Sequence, residues 1–200
     1  MYLFFDTETN GLPKSWNAHV HDLDNWPRMI QLAWAHYDEN KNKLAEHCYI
    51  IKPEGFEIGE ETAKINRITQ ERAEKEGVPL KYALGMFAMT VKQSKFLVAH
   101  NVSFDKAVIG SEFIRSGMEE FYEAIKDIEK ICTMNSSTDF CKIPGSHGYK
   151  WPKLEELYEK LFNAEVDDNL HDALIDVRVM VECFFELKKL KVIKNDERSN

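Results

Sequence analysis

Three strand-like segments, followed by strands and helices in alternation, limit the folds that this chain can adopt. The first segment is an apolar run directly after Met1, and the next two are joined by a polar turn at 38–42. The predicted strands are 2–5, 29–37, 44–52, 96–99 and 128–133, and the predicted helices are 79–93, 103–116, 152–162 and 170–187. This order predicts an α/β fold with a mixed sheet.

The segments between these elements carry weaker signals. Residues 14–28 are polar and rich in tryptophan, histidine and asparagine, and residues 136–151 contain glycine, serine and proline, so both are predicted to be surface loops. The charged residues 60–76 are predicted to form short helices, and Pro152 is predicted to open a helix at its first position. Four side chains of helix 79–93 are predicted to face inward: Leu80, Leu84, Phe87 and Met89.

The size of the chain predicts one domain. Its 200 residues fit a single globular unit, which we place at 1–190 with a short polar tail at 191–200. No apolar run approaches the ~20 residues of a membrane helix, and the start of the chain does not resemble a signal peptide. The four cysteines form no Cys-x-x-Cys pair, so we expect reduced thiols of a cytoplasmic protein and no membrane partner.

The net charge of −8 is unfavourable, at first sight, for a nucleic-acid partner, because binding to phosphates usually comes from lysine and arginine. Metal-binding carboxylates offer another explanation of the acidity. Two divalent ions would reduce the net charge to about −4 and concentrate positive charge where a phosphate binds. Composition alone favours neither interpretation.

Asp6 and Glu8 stand two residues apart at the end of the first apolar strand. The alternation of a strand places both side chains on one face, about 7 Å apart along it. Carboxylates so spaced suit a site for hard cations such as Mg²⁺ or Mn²⁺. A solvated strand end before a turn is the alternative.

Asp105 follows another buried strand, 96–99, through a short connection that contains Asn101 and Ser103. As a second site for a carboxylate at a strand end, it is a candidate ligand. The alternative is the first turn of a helix, where an acidic side chain suits the helix dipole and Ser103 caps the helix. Asn101 is a candidate site residue, with a turn residue as the alternative interpretation.

His171 and Asp176 lie near the start of the last predicted helix. Asp176 stands among apolar neighbours, where a carboxylate is costly unless it is paired or bound to a metal. His171 does not share the helical face of Asp176, so we place it on the entry to the helix, with a capping or surface histidine as the alternative. Asp172 is a rival ligand or a first-turn residue. Asp167 and Asp168 are expected to be solvated.

Three segments match one family in order and spacing. Residues 5–12 resemble the first motif of the DEDD 3′–5′ exonucleases, and residues 97–105 resemble the second. Residues 171–176 resemble the third motif in its histidine form. The linking segments 51–53, 65–69 and 77–79 are also similar, and the resemblance covers 2–185.

The resemblance implies an RNase H-like fold with a five-stranded mixed sheet flanked by helices. It implies that two Mg²⁺ or Mn²⁺ ions are bound, with Asp6 bridging both and His171 as the general base. The implied metal ligands are Asp6, Glu8, Asp105 and Asp176. The substrate-binding positions that it suggests are Thr7, Thr9, Leu12, Asn101 and Phe104, with Phe104 alternatively a core residue.

The family includes the proofreading subunit of bacterial DNA polymerase III, RNase T and oligoribonuclease. We expect a 3′–5′ exonuclease that releases 5′-mononucleotides, with single-stranded DNA as the expected substrate. A polymerase-associated proofreading subunit, which takes part in DNA replication, and an RNA-directed exoribonuclease are the alternatives; a binding module without activity is disfavoured, because all five motif residues are present. A polymerase or homo-oligomer partner is left open. The chain departs from many relatives in the long 14–28 segment and in Gln31, where the proofreading subunit tends to carry an acid.

Overall fold

The computed structural model describes residues 1–166 and 171–194. The predictions for Asp167 and Asp168, the predicted helix start at 170, and positions 195–200 of the predicted tail lie outside the described residues. The division into a domain at 1–190 and a tail at 191–200 stays a prediction.

A five-stranded mixed sheet forms the centre of the fold, in the order β3-β2-β1-β4-β5. Its strands are β1 (Tyr2–Thr9), β2 (Met29–Tyr37), β3 (Lys43–Ile50), β4 (Phe96–Ala99) and β5 (Glu129–Cys132). The first three strands pair antiparallel, whereas β4 runs parallel to both β1 and β5. The mixed RNase H-like sheet implied by the resemblance is therefore confirmed.

Helices cover both faces of this sheet. They are α1 (Glu60–Asn66), α2 (Gln70–Glu76), α3 (Leu80–Val91), α4 (Val102–Arg115), α5 (Glu119–Asp127), α6 (Thr133–Cys141), α7 (Leu154–Phe162) and α8 (Ala173–Lys189). Successive side chains of β1 point to opposite faces. Phe4 packs edge-on against Phe184 of α8, and Phe5 packs against Phe87 of α3. Because both faces are covered, β2 and β4 are apolar almost throughout.

Three local predictions were wrong. Residues 136–151 are not only a loop, since α6 reaches Cys141 and a small hairpin, β6 (Pro144–Gly145) and β7 (Gly148–Tyr149), follows. The polar residues of α6 fit a helix because the hydroxyl of Ser137 donates to the carbonyl oxygen of Thr133, one turn earlier, at 2.7 Å.

The other two errors concern helices α3 and α7. Met89 is 61% exposed, because it lies on the side of α3 away from Leu84 and Phe87, which are fully buried. Pro152 precedes α7 rather than opening it: Lys153 is the N-cap residue, and its backbone N–H donates to the carboxylate of Glu156 at 2.8 Å.

The remaining observations on organisation are brief. Residues 60–76 form the two short helices predicted for them. All four cysteines are free thiols. Within 1–166 and 171–194, no helix combines the length and the apolar character needed to span a membrane.

Candidate active site

Asp6 and Glu8 lie in the second half of β1, on the face that α8 covers, because alternate residues of a strand share a face with Phe4. The pairing register with β2 shifts between Glu8 and Thr9. Such irregularities are frequent beside active sites, where they re-aim side chains. Both acids are only partly buried, so they border solvent at the end of the strand.

Asp105 reaches the same edge of the sheet from α4. Because β4 is parallel to β1, the helix that follows β4 begins beside the acidic end of β1. Asp105 is 2% exposed, and its Oδ1 accepts hydrogen bonds from the backbone N–H of Thr7 at 3.0 Å and from the hydroxyl of Thr7 at 2.8 Å. These bonds fix the first turn of α4 against β1.

The start of α4 differs from the sequence-based alternative. The N-cap residue is Asn101, whose backbone is left-handed (φ 76°) and whose side chain makes no capping bond. Ser103 stands inside the first turn and is exposed, so it is not the cap. The left-handed turn at Asn101 agrees with its alternative as a turn residue, and it directs the chain from β4 into α4.

The third motif forms the beginning of α8. The side chain of Asp172 caps this helix by accepting the N–H of Leu174 at 3.0 Å. His171 has a left-handed backbone (φ 77°), and its N–H donates to Oδ2 of Asp176 at 3.3 Å. This bend leaves the His171 side chain exposed beside the carboxylates, and Asp172 acts as the cap.

Three of the four carboxylates are close enough for their charges to act on the fourth, Asp6, and the imidazole lies beside two of them. Ligand atoms of Glu8, His171 and Asp176 all lie within 4.8 Å of one another. Oδ1 of Asp176 is buried and has no hydrogen-bond partner among the described residues. A buried carboxylate oxygen without a partner is costly, and a cation bound there would satisfy it.

Burial and repulsion by nearby carboxylates raise the pKa values of all four acids. The pKa of Asp6 lies well above its usual range through burial, and then through the negative charges of Asp105, Asp176 and Glu8. Burial, and then the negative charges of Asp176, Asp105 and Asp172, raise the pKa of Glu8 to about 8. Burial is also the main reason that the pKa values of Asp105 and Asp176 rise to about 7. Four hard carboxylates that repel one another fit divalent cations such as Mg²⁺ or Mn²⁺.

The substrate-binding candidates lie within a few positions of the first and second motif acids in the chain. Leu12 is 74% exposed just beyond β1, and the hydroxyl of Thr9 donates to the carbonyl oxygen of Gly11 at 2.7 Å, which shapes that turn. Phe104 is partly buried and packs against the core, while its ring also contacts the ring of Trp16 at 5.7 Å. The two donors of Thr7 are engaged by Asp105, as described above.

His100 lies near the cluster but is held differently from His171. Its Nδ1 is 3.0 Å from the hydroxyl of Thr133, and its Nε2 is 2.9 Å from the carbonyl oxygen of Pro152. Burial lowers its pKa. With both ring nitrogens engaged, His100 is a structural link between β4, α6 and the start of α7.

Gln31 helps to position the third motif, and the sequence did not reveal this role. It lies on β2 opposite Glu8 and is 2% exposed. Its amide oxygen accepts the N–H of Ala173 at 3.0 Å, and its amide nitrogen donates to Asp172 at 3.3 Å. One side chain thus ties β2, the strand that pairs with the first motif's strand, to the start of the third motif's helix, and an uncharged amide can serve both partners.

Gln31→Leu is expected to destabilise the protein and to misplace the third motif. The variant leaves the buried N–H of Ala173 without a partner, which typically costs about 1–3 kcal/mol. Gln31→Glu keeps the acceptor and is expected to lose less, although its charge faces Asp172. Urea unfolding with rate measurements on the same samples checks this. A Gln31→Leu protein as stable and active as wild type would contradict it.

Comparisons with known proteins agree with this geometry. A protein-family model described as exonuclease (RNase_T) matches residues 3–184. The PolC-type DNA polymerase III of Mycoplasmopsis pulmonis is 30% identical over 183 residues, which is 92% of this chain and 11% of the relative. That of Pediococcus pentosaceus is 30% identical over 126 residues, 63% of this chain and 8% of the relative. The chain thus spans about a tenth of the length of these relatives.

Solved structures share the fold. Escherichia coli Exonuclease I in complex with a dA16 oligonucleotide superposes with a TM-score of 0.73 at 20% identity, over 94% of this chain and 40% of that one. Exonuclease X in complex with 5′ overhanging duplex DNA superposes with a TM-score of 0.64 at 21% identity, over 95% and 92% of the two chains. Since the family match extends from β1 into α8 and includes all three motifs, the chain belongs to the exonuclease family and is a DEDDh-type, DnaQ-like 3′–5′ exonuclease.

Proposed function

We propose that this chain hydrolyses the last phosphodiester bond at the 3′ end of single-stranded DNA and releases 5′-mononucleotides. The observation that carries the proposal is the convergence of four repelling carboxylates and one exposed imidazole at the end of β1. We further propose that Asp6, Glu8, Asp105 and Asp176 hold two Mg²⁺ or Mn²⁺ ions.

The ligand set supports the choice of metal. Carboxylate oxygens are the ligands that Mg²⁺ and Mn²⁺ prefer. Cys48 is not among the candidate ligands found in residues 1–166 and 171–194: its sulfur accepts a hydrogen bond from the Gln31 amide, and burial raises the pKa of its thiol to about 11. Divalent ions bound there would supply positive charge to neutralise the scissile phosphate and to activate water. The raised pKa values mean that ion binding and loss of protons from these carboxyls are coupled.

His171 is the proposed general base. Its imidazole is exposed and lies within 4.8 Å of ligand atoms of Glu8 and Asp176, so it can approach a water molecule at the cluster and accept a proton on a ring nitrogen. The proximity of its ring to Glu8 and Asp176 supports a competing role as a metal ligand. The two roles predict different results for metal binding by a His171 variant.

The remaining residues serve the substrate. In this proposal the end of β1 and the turn after it hold the terminal nucleotide: the backbone near Thr7 and Thr9 lies by the 3′-hydroxyl, and exposed Leu12 wedges against the last bases. Asn101 shapes the approach to Asp105, and Phe104 contacts the substrate from the rim.

DNA is proposed over RNA because of the similar proteins. The relatives are PolC-type DNA polymerases, and the superposed Exonuclease I structure is a complex with a dA16 oligonucleotide. Matched DNA and RNA strands, labelled at the 5′ end and incubated with Mg²⁺, test this choice. Faster shortening of RNA at equal concentration would favour the exoribonuclease alternative.

The PolC-type relatives also favour a second candidate, an exonuclease module that acts with a DNA polymerase. A preference for mismatched primer ends does not separate the candidates, because frayed ends are single-stranded. Size-exclusion chromatography of the chain with the replicative polymerase of its own organism distinguishes the two candidates. Joint elution supports the module, and separate elution supports a free-standing nuclease.

The proposed polarity gives a prediction of its own. A single strand with a free 3′-hydroxyl is expected to shorten stepwise, and a 3′-phosphate is expected to block the reaction, because its extra charge meets the carboxylates around Glu8. A circular single strand is expected to survive. Gel analysis of labelled strands checks all three results, and cleavage of the circle would show an endonuclease instead.

A further inference from the structure

The 14–28 loop presents an exposed aromatic side chain beside the candidate site. Trp16 is 59% exposed, and its ring centroid lies 5.7 Å from that of Phe104, with the planes 50° apart. Phe104 directly precedes Asp105, so Trp16 extends the rim of the carboxylate cluster outward. A large aromatic ring left in solvent at this place is available for contact with a ligand.

Buried contacts hold this loop in one shape. The side chain of Asn25 is buried and bonds the backbone of Ser15 twice, accepting its N–H at 2.7 Å and donating to its carbonyl oxygen at 3.0 Å. Arg115 of α4 donates to the carbonyl oxygens of Leu23 and, at 2.7 Å, of Trp26. Trp16 follows Ser15, so its position is set before any ligand arrives, which lowers the entropic cost of binding.

A cavity of about 340 Å³ opens between the loop and α4 next to Trp16. Its described lining includes Trp16, Asn17, His19, Trp26, Lys106 and Tyr122, and it contains no acidic residue. That composition is unusual for the surface of a chain whose net charge is −8. Among residues 1–166 and 171–194, Lys106 takes part in none of the ion pairs within 4.0 Å.

We propose that Trp16 and Phe104 form a stacking platform for a base upstream of the terminal nucleotide, while Lys106 contacts a backbone phosphate of the same strand. Aromatic faces accept any base, and lysine binds phosphate as a point charge. None of the four carboxylates lines the cavity, so its occupant lies outside the place where the bond is cleaved. The inference rests on the proposed function and extends it to the strand behind the 3′ end.

Equilibrium binding tests the platform without relying on catalysis. The probe is a short, fluorescein-labelled DNA single strand with phosphorothioate linkages near its 3′ end, so that it is not degraded, and anisotropy is measured with Mg²⁺ present. Stacking typically contributes about 1–3 kcal/mol per base, so Trp16→Ala is expected to weaken binding about 5- to 150-fold. Trp151→Ala is the matched control, since Trp151 is 66% exposed and does not line the cavity.

Strands with one abasic position identify the contact. The abasic position is moved inward from the 3′ end in a series of strands. At one upstream position it is expected to weaken binding by the wild type as much as Trp16→Ala does on an intact strand. At that position it is expected to change the affinity of Trp16→Ala very little. Lys106→Gln is expected to reduce the log–log salt slope by about 0.7, the value for one phosphate of a single strand. Each of these results supports the platform.

Other results would overturn it. If Trp16→Ala and Trp151→Ala bind equally, or if the abasic penalty is the same in wild type and Trp16→Ala, no base stacks on Trp16. A wild-type protein that binds the strand through Trp16 but does not shorten an unmodified strand would leave the platform standing and contradict the proposed hydrolysis. The two claims can therefore fail separately.

Discussion

Asp105→Asn is expected to remove nearly all metal-dependent hydrolysis and, at the same time, to stabilise the metal-free protein near neutral pH. The asparagine can still accept the N–H and hydroxyl of Thr7 on its side-chain oxygen, so the packing of α4 is kept. What is lost is one negative charge of the proposed ligand set. We expect a rate loss beyond the ~10–100-fold that is typical when an outer-shell partner of a metal is lost.

The gain in stability follows from the raised pKa. Because the folded-state pKa of Asp105 is about 7, well above that of an unfolded aspartate, the folded protein holds this proton more tightly than the unfolded chain does. The contribution of this carboxyl to stability is therefore complete in acid and is lost as the pH rises through about 7. The melting temperature of the metal-free wild type is therefore expected to fall as the pH rises from acid to above about 7. The melting temperature of Asp105→Asn is expected to fall less over the same change of pH.

Divalent ions should reverse this trend in the wild type. An ion at about 100 times its dissociation constant stabilises by about 2.7 kcal/mol, which corresponds to roughly 5–10 °C for a chain of this size. Scanning calorimetry at several pH values, with and without Mn²⁺, measures these effects. Asp139→Asn is the control, because it makes the same charge change at an exposed position on α6. Equal ion-induced shifts in wild type and Asp105→Asn would contradict the ligand assignment.

His171→Ala is expected to lose about 10²–10⁴ in rate, the usual contribution of a general base, while Mn²⁺ binding stays close to wild type. The ring is exposed, so its removal should cost little stability. The loss should shrink at higher pH, because hydroxide then replaces the base. Rates over a range of pH, with isothermal calorimetry of Mn²⁺ binding, check the prediction.

His171→Gln completes this experiment, because the amide keeps a polar side chain but does not accept the proton. It is expected to behave like His171→Ala. If both variants lose Mn²⁺ affinity in parallel with rate, then His171 is a ligand together with Glu8 and Asp176. If both keep the wild-type rate and pH profile, another group is the base, and His100 is an unfavourable replacement since both its ring nitrogens are engaged.

Local signals explain what could be predicted from the sequence. The sequence predicts strand β2 at 29–37 and β4 at 96–99, as found, because both strands are buried on both faces and are apolar almost throughout, with Gln31 and His36 as the polar positions of β2. The closeness of the acids at the end of β1 and after β4 could also be predicted, because parallel neighbouring strands bring their carboxyl ends together.

Features that depend on contacts between distant parts of the chain could not be predicted from the sequence. The role of Gln31 depends on Ala173, which is 142 positions away, and no pattern around Gln31 indicates that partner. Trp16 lies in a segment without regular structure, whose shape is set by Asn25 and by Arg115 of α4. Helix α6 was missed because its serine and threonine residues favour loops in the sequence but bond to their own helix in the fold.

Hydrolysis of a 5′-labelled DNA single strand, with Mg²⁺ and then with excess EDTA, tests the central claim most directly. We predict stepwise shortening from the 3′ end with Mg²⁺, no shortening in EDTA, recovery when Mn²⁺ is added back, and almost no product from Asp105→Asn under any of these conditions. Full activity in excess EDTA, or an Asp105→Asn protein as active as wild type, would contradict a metal-dependent exonuclease built on these four carboxylates.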